Sequence, residues 1–211
     1  MSETTPPTTV PTPEPLSDQE LAATCRNPQH LLNLLFGERG RLAATVGHGR
    51  GLGALALVLL FGSALLVLPF GLALAGGGAW RLPALYTGSV LLCWPSLHIV
   101  SIYLGCRCLP TQTLVLALLV ALVASLFTLG FAPILWFLDQ TMRNADSIDA
   151  HVIGIVLAAV GLLAGLGELL RMMLKSPLPS TNDVTQVAWL LWAALLVTIT
   201  WRMARVIGLL P

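Results

Sequence analysis

Hydrophobic positions along this chain come in long blocks, neither alternating nor confined to one helical stripe. No charged residue occurs from Gly51 to Trp80. Comparable apolar runs occupy Leu82 to Cys106 and Leu109 to Leu138, and two shorter ones run from about Ala150 to Leu170 and from Val184 to Trp201. About 20 predominantly apolar residues carry one α-helix across the hydrocarbon core of a bilayer, where an unpaired backbone amide is too costly for an open strand. The pattern predicts an all-α polytopic membrane protein with five spans, at about 52–75, 83–105, 112–138, 150–170 and 184–204. Gly130 and Pro133 fall inside the third run, yet thirty residues are too few for two spans and a turn. One long, tilted or kinked helix is the expectation there.

Ahead of the spans the pattern changes twice. Residues 1–17, MSETTPPTTVPTPEPLS, contain five prolines and five threonines and little apolar bulk. Such a segment buries too little surface to offset chain entropy, so it reads as a disordered tail. It also lacks the basic start and apolar core of a cleaved signal peptide, so insertion by the first span is expected. The segment 18–50 follows, with Ser17 at its edge and Glu20 in capping-box spacing, and Asn27-Pro28 reads as a second cap with its first helical residue. Leu31, Leu32, Leu35 and Phe36 then form an apolar strip beside Gln29, His30 and Asn33. This predicts a short amphipathic helix along the membrane interface, with Arg39 and Arg41 near headgroups, or a helix that docks a partner.

Composition agrees with that class. Of 211 residues, 56% are hydrophobic and 10% charged, with a mean hydropathy of +0.83, against roughly a quarter charged in an ordinary soluble domain. The net charge of +1, with no basic cluster interleaved with aromatics, argues against nucleic acid as a partner. Orientation follows from the cations. An inward N-terminus puts Arg26, Arg39, Arg41, Arg50, Arg107, Arg171 and Lys175 on the cytoplasmic side, leaving Arg81, Arg143, Arg202 and Arg205 outside. Seven against four favours a cytoplasmic N-terminus and an external C-terminus; Arg202 and Arg205 run against the trend.

The stretch CWPSLHIVSIYLGCRC, residues 93–108, concentrates the chemistry-bearing side chains. Tyr86, Ser89, Cys93, Ser96, Val100 and Tyr103 recur at alternating steps of three and four, a seam along the second span suited to packing or to a polar transport path. Pro95 frees a helical carbonyl, and a kink compensated by Ser96 or Ser101 is expected. His98, an ionisable group inside a span, is a functional candidate in its own right, but it lies off the seam. No carboxylate falls within the depth of another span to relay a proton; Glu168 is near a helix end with Arg171 as its expected partner. On the fourth span Gly154, Ala158, Gly161 and Gly165 form a stripe of small residues, a helix packing face against this chain or another subunit.

Other constellations are weaker. Cys25 sits in a surface helix and Cys93 in a lipid-embedded run, so the four cysteines form no disulfide framework. Cys106 and Cys108 are closer than the two-residue gap typical of zinc sites, and no metal is expected. Asp139, Asp146 and Asp149 read as charge pairing with Arg143 and helix capping rather than as a calcium site. His30, His48, His98 and His151 are scattered over different elements, and the chain has no P-loop, GxSxG or HExxH motif. No catalytic residue and no cofactor is expected.

The phrases LLCWPSLHIVS in the second span and SLFTLGFAPILWFLD in the third, with five spans behind a polar cytoplasmic tail, resemble small bacterial multi-pass proteins grouped with the Ypt-interacting (Yip-type) membrane family. The resemblance covers about residues 25–205 and implies a five-helix bundle with a cytoplasmic N-terminus and no recognised catalytic residue. The eukaryotic branch serves membrane trafficking and binds small GTPases. Its Asp-Leu-Tyr-Gly-Pro type motif is absent from this chain, so that role is not carried over. The expected function is a non-enzymatic accessory or scaffold subunit in a bacterial inner membrane, presenting its N-terminal segment to a partner or to the membrane surface. The alternative is a small transporter or channel component whose polar path follows the second-span seam. The expected partners are the lipid bilayer and either another membrane protein or further copies of the chain as a homo-oligomer. A wet cavity at mid-membrane would favour the transporter and a dry core the scaffold.

Overall fold

The computed structural model describes residues 39–48, 51–75, 78–103, 105, 109–142, 148–175 and 183–209, together with 16, 17, 19, 20, 23, 27, 29, 30, 33 and 37. The tail up to residue 15, the strip Leu31, Leu32, Leu35 and Phe36, and Cys25, Cys106, Cys108, Arg143 and Asp146 lie outside the described residues. Among the described residues there is helix and no strand. The six longer helices are α1 (Arg39–His48), α2 (Leu52–Ala75), α3 (Arg81–Tyr103), α4 (Pro110–Met142), α5 (Ile148–Lys175) and α6 (Asp183–Val206). Stretches of α2 to α6, namely Leu52–Leu74, Arg81–Tyr103, Pro110–Thr141, Val152–Arg171 and Trp189–Val206, are long and apolar enough to cross a membrane.

α4 is the axis of the bundle. Every side chain from Val115 to Ser125 is buried, because LVLALLVALVAS is apolar on all sides and a helix of that kind is stable only when surrounded. α2, α3 and α5 pack around it, while α6 packs on α3. The outer faces are lipid-like: Leu57, Phe61, Leu65 and Leu72 on α2, and Val152, Val156, Val160 and Leu163 on α5, are all exposed. At 33 residues, α4 is an unbroken helix through Gly130 and Pro133. Its length of about 50 Å exceeds the roughly 30 Å hydrocarbon core, so α4 tilts or projects beyond it.

The start of α4 explains how α1 is fixed. Pro110 occupies the first helical position, where its missing N–H costs nothing. The Leu109 N–H donates to Gln112 Oε1 at 2.7 Å, and Gln112 Nε2 donates to the Val46 carbonyl at 2.8 Å. One glutamine therefore caps α4 and ties down the end of α1, whose Leu42, Thr45 and Val46 are buried. Gly51, at φ 68°, makes the left-handed turn into α2 that a side chain would strain. The segment before α1 is held too. The Leu16 N–H donates to Thr45 Oγ1 at 2.9 Å, Arg41 reaches both Glu20 carboxylate oxygens at 3.2 Å, and Leu16 packs on the core. Ser17 and Glu20 make the reciprocal cap, at 3.0 Å and 3.3 Å. Leu16, placed in the tail by composition, is thus held against α1, and Ser17 occupies the cap position its spacing to Glu20 predicts.

Candidate functional site

Side chains within the membrane-crossing region can act on a solute only if they line water, so the destination of each buried hydroxyl decides what the core can do. Ser63, Ser89, Ser101, Ser125, Thr128 and Thr200 are all buried. Their hydroxyls donate to Leu60, Tyr86, Leu97, Ala121, Ser125 and Leu196 carbonyls of their own helices, at 2.7 to 3.2 Å. Among the described residues no buried side-chain nitrogen or oxygen lacks a partner. These six serine and threonine hydroxyls are spent within their own helices, and the buried Tyr86 hydroxyl is spent on a carbonyl of a neighbouring helix.

The sequence-derived seam on α3 divides. Tyr86, Ser89 and Cys93 are buried, Ser96 is half-buried, Val100 is exposed, and Tyr103 is 87% exposed and stands outside the bundle. The reason is helical drift: five steps averaging 3.4 residues fall short of 3.6, so Tyr103 lies about 100° around the helix from Tyr86. The buried half is structural in its bonding. The Tyr86 hydroxyl donates to the Ala158 carbonyl at 2.6 Å and bridges α3 to α5. Near Pro95 the Cys93 carbonyl accepts Ser96 Oγ at 2.6 Å and the Trp192 indole at 3.0 Å, which pins α6 to α3. Ser96 and Ser101 therefore serve the carbonyls of Cys93 and Leu97, not that of Leu91, four residues before the proline.

His98 joins a second cluster, off the seam. Its Nδ1 lies 3.4 Å from Thr113 Oγ1, and Trp94, one turn earlier, donates its indole N–H to the same oxygen at 3.2 Å. Thr113 donates in turn to the Pro110 carbonyl at 2.9 Å, so the group fastens the end of α3 to the first turn of α4. Trp94, Gln112, Thr113 and Trp192 were not candidates from sequence; the available signal was the indole N–H, which needs an acceptor when buried in a span.

The stripe on α5 faces α4 of the same chain over most of its length. An added Cβ at Gly161 would lie 2.9 Å from Thr128 Cγ2 and 3.1 Å from the Ala124 carbonyl oxygen. At Gly165 it would lie 2.5 Å from the Val120 carbonyl oxygen, and at Gly154 it would collide with Leu74 of α2 while lying 3.2 Å from Leu135. Ala158 is buried under the Tyr86 hydroxyl. Glu168 pairs with Arg171 at 3.4 Å at the far end of α5. Among the described residues no three of His, Cys, Asp and Glu gather where a metal could sit.

Recesses also open among the described residues. A cavity of about 120 Å³ lies between α3, α5 and α6, and a cleft of about 500 Å³ continues between α5 and α6. A wider recess of about 730 Å³ opens between the far ends of α2 and α4, beside Pro69, Pro133, Asp139 and Gln140. Compared with known proteins, the chain has no significant match to a family model, a curated protein or a solved structure. The Yip-type resemblance therefore rests on the five spans, the polar tail and the phrases quoted from the second and third spans.

Proposed function

We propose that this integral membrane protein is a non-enzymatic accessory or scaffold subunit of a bacterial inner membrane assembly, with its N-terminal segment on the cytoplasmic face. The observation that carries the reading is the bonding of the buried hydroxyls: a path for a polar solute needs groups that face it, whereas the buried serine and threonine hydroxyls of the spans bond carbonyls of their own helices and the Tyr86 hydroxyl bonds the Ala158 carbonyl. A second observation supports the display of the N-terminal segment. Thr45, Arg41 and Gln112 lock α1 and the residues before it to the end of α4, so the exposed Gln29, His30 and Asn33 are presented from an anchored base.

Reconstitution in sealed vesicles tests the choice between a scaffold and a conduit. Vesicles carrying the protein should hold proton and potassium gradients, and entrapped small solutes, as long as protein-free vesicles do. A protein-dependent flux abolished by His98→Gln or by Ser89→Val would replace this reading with the transporter.

A further inference from the structure

α5 and α6 touch each other little, and each is held by a different neighbour: the small stripe of α5 lies against α4, while Trp192 fixes α6 to α3. The crevice left between them runs along residues 155–170 of α5, about 22 Å at the helical rise. Its two parts meet at Val197. The polar groups in its upper wall are already spent, Tyr86 on the Ala158 carbonyl and Thr200 on the Leu196 carbonyl. A recess of this kind excludes water and accepts hydrocarbon, and its length exceeds the roughly 15 Å of one leaflet's hydrocarbon.

Two cations stand at one end of the crevice. Trp201, a wall of the cavity, carries the Arg205 guanidinium 5.5 Å over its ring. Arg81 Nη1 donates to the Gly208 carbonyl at 3.4 Å, and the neighbours Leu82 and Leu209 line the same cavity. Gly208, at φ 73°, turns the chain so that the Leu209 N–H donates to the Ala204 carbonyl, which folds this end back over the cavity. Among the described residues neither guanidinium has a carboxylate partner. At the opposite end Arg171 is paired with Glu168. Arg205 is also one of the two cations that run against the charge asymmetry of the loops.

We propose that the α5–α6 crevice is a binding site for an anionic phospholipid, its acyl chain lying along Ala159 and Val197 and its phosphate held by Arg81 and Arg205. Guanidinium groups suit a phosphate because their N–H groups match its oxygens in pairs. The acyl chain then fills the gap that α4 and α3 leave between the helices they hold.

Native mass spectrometry of delipidated protein, titrated with phosphatidylglycerol or phosphatidylcholine of identical chains, tests the site. One phosphatidylglycerol should be retained in preference to phosphatidylcholine, with retention falling about fivefold for each arginine removed in Arg205→Gln and in Arg81→Gln with Arg205→Gln. Ala159→Trp, or Val197→Phe from the opposite wall should the first fail to fold, should expel the lipid while unfolding in detergent stays cooperative. Equal retention of the two lipids, or no loss in the double variant, would reduce the crevice to ordinary boundary lipid and overturn the proposal. Retention undiminished in folded Ala159→Trp and Val197→Phe would place the lipid elsewhere. Inorganic phosphate that displaces the lipid at equal concentration would show an anion site independent of the crevice, which also overturns it.

Discussion

Replacing Gly165 by alanine adds one methyl group where α5 lies against the backbone of α4. The new Cβ would stand 2.5 Å from the Val120 carbonyl oxygen, about 0.9 Å short of ordinary contact, and 3.2 Å from the Ala124 amide nitrogen. Both obstacles are backbone of the most buried helix, so no side chain can swing aside. The helices must part instead, and a gap of about 0.5–1 Å forfeits a quarter to a half of each dispersion contact across it. Between spans this loss is severe, because packing takes over from hydrophobic burial as the cohesive force. Overpacking of this kind costs about 1–3 kcal/mol. Gly167, two residues on, has nothing within 4 Å of the equivalent position. There the same change should be neutral or stabilise by up to about 1 kcal/mol through helix propensity. Equilibrium unfolding in mixed micelles, titrated with dodecyl sulfate, should therefore rank Gly167→Ala at or above wild type and Gly165→Ala clearly below it. Equal stability of the two variants would refute close packing of α5 on α4.

Tyr86→Phe removes the hydroxyl that bridges α3 to the Ala158 carbonyl, and the same titration should show a loss of only about 0.6 kcal/mol, smaller than that of Gly165→Ala. The Ser17 backbone N–H, then the Arg41 guanidinium and the Ser17 hydroxyl, hold the Glu20 carboxyl below its ordinary value. A lowered value means docking is fully supported above the unfolded-state range near pH 4.3 and is lost as pH falls through the folded value. Exchange of the Leu16 amide, corrected for its intrinsic pH dependence, should therefore accelerate on acidification in wild type and be fast and pH-independent in Glu20→Gln; the same profile in both would remove Glu20 from the dock. For orientation, an impermeant thiol reagent applied outside should label a cysteine at Asn144 and spare one at Ser176 in a cysteine-free background; the reverse pattern would invert the protein.

The spans were legible because apolar length reports membrane crossing directly, and the unbroken α4 because thirty residues leave no room for a turn. The stripe on α5 was legible for a geometric reason. Gly154 to Gly165 is eleven residues, close to three full turns, so the two ends return to within about 20° of one face. The seam on α3 covers seventeen residues at a shorter step and winds away from the bundle, which is why Tyr103 faces outward. The links from His98 and Trp94 to Thr113, from Trp192 to Cys93, and from Gln112 to Val46 join residues between 15 and 99 positions apart. Spacing within one helix carries no trace of such pairs, so sequence identified His98 as notable without identifying what it touches.

Water access to the core is the most direct test of a dry, non-conducting bundle. Cys93 is wholly buried at the α3–α6 contact and Ser125 wholly buried on α4. Two proteins should be reconstituted in bilayers, one keeping Cys93 as its single cysteine and one carrying Ser125→Cys in a cysteine-free background, and both exposed to a small water-soluble thiol reagent from each side. A dry core leaves both thiols unmodified until dodecyl sulfate unfolds the protein, after which both react completely. Modification of either thiol in the intact bilayer, from either side, would contradict the dry core and reveal an aqueous path through the protein.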